Sequence, residues 1–209
     1  VVQTQDIELV LNAVGTATIS VADIDDGSRD NVAIASSTID ITQFDVAALD
    51  TPTTVTLTVT DTSGNVATET ALVTVVDRTN PIANAQNITV PLDATGTATI
   101  TAEALDGGSA DNVAIASLDI SQDTFTLDDL GPALVTLTVT DTSGNQSTDT
   151  ATVTVVDVLG PTVITQDTTI SLDDAGVATL TTADIDDGST DNGEITSLRL
   201  SQTRFTPAG

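Results

Sequence analysis

The chain of 209 residues contains no cysteine, histidine, lysine, methionine, tryptophan or tyrosine, and only three phenylalanines. Each absence excludes a chemistry. Without His or Cys there is no zinc-type site, no thiol nucleophile and no imidazole base. Without Cys, small secreted domains have no disulfides, so something else must stiffen them. Without Lys there is no Lys–Asn isopeptide staple. No run of 18 or more apolar residues occurs, so no segment reads as a membrane-spanning helix. The chain begins without Met or a signal peptide, at what reads as the start of a strand, and the expectation is a piece of a longer polypeptide.

Positive charge is nearly absent as well. Thirty-one acidic residues face four arginines (Arg29, Arg78, Arg199 and Arg204), for a formal net charge of -27. Nucleic acid as a partner is excluded, because its phosphates need basic neutralisation. Unassisted adsorption to anionic membranes is disfavoured for the same reason. Acidity of this degree often accompanies disorder, but 39% hydrophobic residues and a positive mean hydropathy point to a folded chain.

What the chain does contain is repetition. Val55-Thr-Leu-Thr-Val-Thr-Asp-Thr-Ser-Gly-Asn65 recurs as Val135 to Asn145, and the aspartates Asp61 and Asp141 are offset by 141 − 61 = 80. Val73-Thr-Val-Val-Asp77 recurs as Val153 to Asp157 at the same offset. Asp26-Gly-Ser-Arg-Asp-Asn31 returns as Gly107 to Asn112 and again as Asp187 to Asn192. Phe44, Phe125 and Phe205 each fall 13 residues after the loop asparagine. Self-similarity at a fixed period marks a repeat architecture. The expected boundaries are 1-79, 80-159 and 160-209. The third unit ends before any counterpart of Val-Thr-Leu-Thr-Val-Thr-Asp, so it is expected to lack its last two strands. Either the native chain continues or a neighbouring molecule supplies them.

Each unit reads as β throughout. Val55, Leu57 and Val59 alternate with Thr54, Thr56, Thr58 and Thr60, the period of two that turns one face inward. Similar alternation runs through Ala17, Ile19 and Val21, and through Ala71, Val73 and Val75. Turn signals at Gly15, Asp26-Gly27, Thr51-Pro52 and Ser63-Gly64-Asn65 separate the runs. About seven short strands per 80 residues, with no helical period, predict an all-β fold of tandem immunoglobulin-like Greek-key sandwiches. So small a unit buries only about 60–65% of its chain surface, leaving it marginal alone.

In such a sandwich the B–C and F–G loops share the end at which the preceding unit's last strand arrives. Asp77 is therefore expected to meet Asp106, Asp111, Asn112 and Asp141. Asp157 is expected to meet Asp186, Asp187, Asp191 and Asn192. The first unit offers Asp25, Asp26, Asp30, Asn31 and Asp61. Two carboxylates about 5 Å apart, at an effective dielectric near 20, repel by roughly 3 kcal/mol. Three or four together are untenable unless protonated or bridged by a cation. All-oxygen ligands in flexible loops suit Ca²⁺ better than Mg²⁺. Against this stands the plainer reading that Asp, Asn, Gly and Ser are turn formers, splayed in water.

No enzyme is expected. Ser and Thr have no activating base, and a short repeated sandwich provides no cleft for a glycosidase carboxylate pair. The alternating threonine rows read as a solvated strand face as readily as an ice-binding one. The sequons Asn87-Ile-Thr89 and Asn145-Gln-Ser147 are weak glycosylation signals.

The Val-Thr-Leu-Thr-Val-Thr-Asp-Thr-Ser-Gly-Asn segment, followed by Val-Thr-Val-Val-Asp and Pro, resembles the HYR-type immunoglobulin-like repeats of very large secreted proteins of Bacteroidota. Gliding-motility adhesins of the SprB type are among them. The resemblance implies a stalk or filament exported by the type IX route and displayed at the outer-membrane surface. Neighbouring repeats, other copies in a filament, and surface glycans or abiotic surfaces are the implied partners. Many relatives carry a Cys after the loop Asp; in this chain Asn31, Asn112 and Asn192 occupy or adjoin that place, so any family disulfide is absent. A polymerising subunit completed by strand exchange and a glycan- or protein-binding module stay open as alternatives.

Overall fold

The computed structural model describes residues 1–206. The fold is all-β, as the alternation predicts. Two compact units divide the chain by internal contacts. The first is 1–85 with 106–119 and 136–149; the second is 86–105 with 120–135 and 150–209.

The first unit contains a complete sandwich. Strand β1 (Ile7–Val10) runs parallel to β6 (Val66–Val76), with Ile7 opposite Val73. Strand β5 (Thr53–Asp61) pairs antiparallel with β6, and β3 (Ile34–Ile39) pairs antiparallel with β5, giving the order β1-β6-β5-β3. The opposing layer is short: β2 (Thr16–Thr18) against β4 (Gln43–Asp45), with Ala17 opposite Phe44. The inward residues Val55, Leu57, Ala71, Val73 and Val75 are buried, while the threonines between them stay partly or fully exposed. They cluster with Leu11 just after β1, with Ile19 and Phe44 from the short layer, and with Ile24. β-branched residues on a pleated, half-buried surface explain the pattern.

One expectation fails locally. The alternation through Ala17, Ile19 and Val21 predicts a strand to Ala22, but β2 ends at Thr18 and a single helical turn, α1, occupies Val21–Ile24. The Asp23 carboxylate accepts from the backbone N–H and hydroxyl of Ser20, at 2.7 and 2.8 Å. That reciprocal cap starts a helix even over four residues, and it delivers Ile24 fully buried into the core. The first repeat thus has six strands plus this turn, against the seven expected.

The second repeat follows the same order, with β7 (Ile88–Pro91), β12 (Gln146–Val156), β11 (Gly131–Asp141) and β9 (Ile115–Ile120). Strand β8 (Thr97–Thr99) faces β10 (Thr124–Thr126), with a helical turn, α2, at Ala102–Leu105. Phe125 pairs with Ala98 just as Phe44 pairs with Ala17. In the third repeat the described strands are β13 (Ala178–Thr179) and β14 (Arg204–Phe205), which pair with Phe205 opposite Ala178. The last three residues of the expected 160-209 unit lie outside the described residues.

Candidate metal centre

Within the first unit, β6 ends at Val76 and hands on Asp77; the loop before β9 carries Asp111 and Asn112; β11 ends on Asp141, and the tight turn after it carries Asn145. Three separate chain segments therefore contribute one carboxylate each. One oxygen from each of Asp77, Asp111 and Asp141 lies within 4.8 Å of the others. Asp77 and Asp141 are buried, at 6% and 2% exposure.

Asp77 and Asp111 are each anchored through one oxygen, and Asp141 through both. Asp77 Oδ1 accepts from the Thr79 N–H at 3.0 Å and from Asn112 Nδ2 at 3.1 Å. Asp111 Oδ2 accepts from the Val113 N–H at 2.8 Å. Asp141 Oδ1 accepts from the N–H groups of Ser143 and Asn145, both at 2.8 Å. Its other oxygen accepts from Asn145 Nδ2 at 2.8 Å.

The remaining oxygens decide what the arrangement can hold. Asp77 Oδ2, Asp111 Oδ1 and Asn112 Oδ1 are buried with no hydrogen-bond partner. Leaving a buried polar oxygen unpaired costs roughly 1–3 kcal/mol, and more when it is charged. Three carboxylates within 4.8 Å of one another, two of them with an unpartnered buried oxygen, suit a positive charge. Arg78, next in sequence to Asp77, does not supply that charge through an ion pair to the cluster, because its guanidinium is paired with Glu8. The donor set of carboxylate and amide oxygens is hard, which fits Ca²⁺ or another hard divalent ion and not a thiolate- or imidazole-seeking metal. The three converging carboxylate oxygens would leave room for further oxygen ligands and water in a six- to eight-coordinate shell.

The second unit repeats part of this geometry. Asp157 Oδ1 accepts from the Leu159 N–H at 3.1 Å and from Asn192 Nδ2 at 3.2 Å. Asp191 Oδ1 and Asn192 Oδ1 are again buried and unpartnered. In the first repeat, Asp30 Oδ2 accepts from Val32 N–H at 2.9 Å, and the amide of Asn31 lies against Asp30. Asp61 is closed by Asn65, whose side chain donates to Oδ2 at 2.7 Å. This bond, the largest contribution, holds Asp61 below the usual carboxylate range.

Other expected ligands do different work. Asp25, Asp106 and Asp186 each fold back on the serine three residues later. Ser109 donates its N–H at 2.9 Å and its hydroxyl at 2.6 Å to Asp106. The serine hydroxyl bond is the leading reason that Asp106 and Asp186 titrate below the usual range. Asp106 is thus not among the carboxylates that converge at Asp77, Asp111 and Asp141. Asp26 and Asp187 are exposed and donate their backbone N–H to Gln3 and Ile164, at 3.0 Å each. Gly107 makes the same backbone bond to Asn84, which explains why that position tolerates glycine.

No protein-family model matches the chain, and no curated protein matches it. Solved structures give remote likenesses only. The protocadherin gammaB4 extracellular domain matches at 14% identity and TM-score 0.37, over 79% of this chain and 33% of that one. The human mucin-like protocadherin EC1-2 structure matches at 14% identity and TM-score 0.36, over 76% and 98%. Fibronectin(III)-like modules of Clostridium thermocellum CbhA match at 10% and 0.25, over 75% and 94%. The chain spans about a third of the first of these proteins. All are β-sandwich modules. Likenesses this remote carry no functional argument, and the site rests on its own geometry.

Sequence reasoning missed two groups at this centre. Asn145 closes Asp141, and its Nδ2 also lies 3.3 Å from the carbonyl oxygens of Asp77 and Thr79. Asn12, in the turn between β1 and β2, accepts from Asn112 Nδ2 through its carbonyl at 3.2 Å. The signal for Asn145 was present in the repeated Asp-Thr-Ser-Gly-Asn turn. The signal for Asn12 was not, because a backbone carbonyl leaves no trace in residue type.

Proposed function

We propose that the chain is a non-enzymatic segment of an extracellular structural or adhesive stalk, its repeats stiffened by Ca²⁺ bound where one repeat meets the next. The observation that carries this reading is the set of buried, unpartnered oxygens of Asp77, Asp111 and Asn112 beside Asp141. Their residues come from the end of one repeat and the loops of the following one. A cation there ties three chain segments together, and the net charge of -27 leaves no cheaper neutralisation. An ion at 100 times its dissociation constant stabilises the folded form by about 2.7 kcal/mol, a large share for a unit this small. The resemblance to HYR-type repeats adds the setting: a long secreted surface protein of the gliding-adhesin kind, in which length and rigidity are the product. Such a role needs no catalysis.

The test is a thermal melt and a small-angle scattering profile in calcium and in EDTA. A higher melting temperature and a straighter particle in calcium support the reading; superimposable curves in the two buffers reject it.

A further inference from the structure

The loop asparagines have two faces that do different things. Asn112 Nδ2 donates to Asp77 Oδ1 at 3.1 Å and to the carbonyl of Asn12 at 3.2 Å. Both neighbours are acceptors, so the amide cannot turn over, and Oδ1 is fixed on the opposite side, buried and unpartnered. The arrangement recurs in the second unit. Asn192 Nδ2 donates to Asp157 Oδ1 at 3.2 Å and to the carbonyl of Asp93 at 3.1 Å, and its Oδ1 is likewise unpartnered. In both places the accepting carbonyl belongs to the turn between the first two strands of the preceding repeat. That carbonyl also closes its own turn, accepting from the Gly15 N–H at 2.9 Å and, in the second copy, from the Gly96 N–H at 3.0 Å.

The contact is close. Gly15 has φ +73, and a Cβ there would stand 2.7 Å from the Asn112 backbone oxygen. Gly96 has φ +76, and a Cβ there would stand 3.1 Å from the Asn192 oxygen. At the first of these joints Val113, the residue after Asn112, packs against the core of the first repeat.

We propose that Asn112 and Asn192 couple cation binding to capture of the preceding repeat's first turn: Oδ1 takes the ion while Nδ2 holds the turn carbonyl. This rests on the calcium reading above and adds that the ion does more than offset repulsion. An ion on Oδ1 polarises the amide and strengthens its N–H donors. Coupling of binding equilibria is reciprocal, so a docked turn also tightens the ion. Gly15, which touches no ligand oxygen of the carboxylate cluster, becomes a positioning residue for the metal.

The experiment is calorimetric titration of the whole chain with calcium, unsubstituted and as Gly15→Ala. Gly64→Ala is the control, since Gly64 has φ +86 and nothing within 4 Å of a Cβ. Gly15→Ala is expected to weaken calcium at the Asp77 junction roughly tenfold, and Gly64→Ala to leave that junction unchanged. A second arm keeps the test sharp if Gly15→Ala does not fold. Asn112→Asp retains an oxygen for the ion but no donor for Asn12. The chain has no cysteine, so spin labels at Thr38→Cys and Ser117→Cys report the joint cleanly. Calcium should narrow their distance distribution in the otherwise unsubstituted chain and fail to do so with Asn112→Asp, although calcium still binds. Binding by Gly15→Ala as tight as the parent, or full narrowing with Asn112→Asp, overturns the coupling alone. Absence of calcium binding by the parent chain overturns the calcium reading and the coupling together.

Discussion

Asn112 Nδ2 lies 3.1 Å from Asp77 Oδ1, so a loop amide of one repeat donates to the aspartate that follows the last strand of the repeat before it. The bond orients the Asp77 carboxylate and leaves its second oxygen buried without a partner. Preorganisation of this kind lowers the ordering cost of binding. It also makes the site's response to substitution specific in sign.

Asp77→Asn should change stability in opposite directions in two buffers. In EDTA the variant relieves like-charge repulsion among Asp77, Asp111 and Asp141, which amounts to roughly 3 kcal/mol per pair at 5 Å and an effective dielectric near 20 as an upper guide. Its melting temperature should rise above that of the parent chain. In calcium it loses a charged ligand, and its melting temperature should fall below that of the parent. Paired melts in the two buffers check this.

Asp111→Ala should be neutral to stabilising in EDTA, where relief of like-charge repulsion in the cluster opposes the loss of one hydrogen bond, and costly in calcium. The carboxylate anchors only the Val113 N–H at 2.8 Å, so the sandwich itself should fold. In calcium the variant should forfeit most of the ion's contribution, about 2.7 kcal/mol when the parent is saturated 100-fold over its dissociation constant. Denaturant titration in both buffers measures the difference.

Phe125→Ala should destabilise regardless of the ion. Phe125 is the lone aromatic of its repeat and is fully buried opposite Ala98. Removing a buried Phe costs about 3–5 kcal/mol. The loss should be equal with calcium and with EDTA, which separates a core defect from a junction defect.

Acid should remove the stability that four hydrogen-bonded loop carboxylates contribute. Asp61, Asp93, Asp106 and Asp186 have folded values lowered chiefly by side-chain hydrogen bonds from Asn65, Thr95, Ser109 and Ser189. A depressed carboxylate contributes stability that is fully present above its unfolded value, near 3.9, and is lost as pH falls through its folded value. Stability from these four groups should therefore be flat from neutral pH to about pH 5 and fall below about pH 4. A melt series in EDTA across that range measures it.

The strands were legible in the sequence because their pattern is local. Val55, Leu57 and Val59 alternate with threonines, and a period of two has one physical meaning on a sheet. The junction was partly legible: Asp77, Asp111, Asn112 and Asp141 recur at a fixed offset, and sandwich topology sends their loops to one end. What the sequence hid was competition. Asp106 and Asp111 look equivalent as repeated loop acids, yet Ser109 engages Asp106 while Asp111 keeps an oxygen unpaired. The Asp-x-x-Ser spacing, shared by Asp25 and Asp186, carried that information. Helix α1 was hidden for a related reason: the Ser20–Asp23 cap overrides a strand-like alternation within four residues.

The most direct measurement is a crystal structure of the chain grown in calcium, with anomalous scattering used to locate the ion. The expected result is one strong peak among Asp77 Oδ2, Asp111 Oδ1, Asn112 Oδ1 and Asp141, at about 2.3–2.6 Å from its ligands. Those side chains turned apart into solvent, with only water between them at saturating calcium, would contradict the metal centre outright.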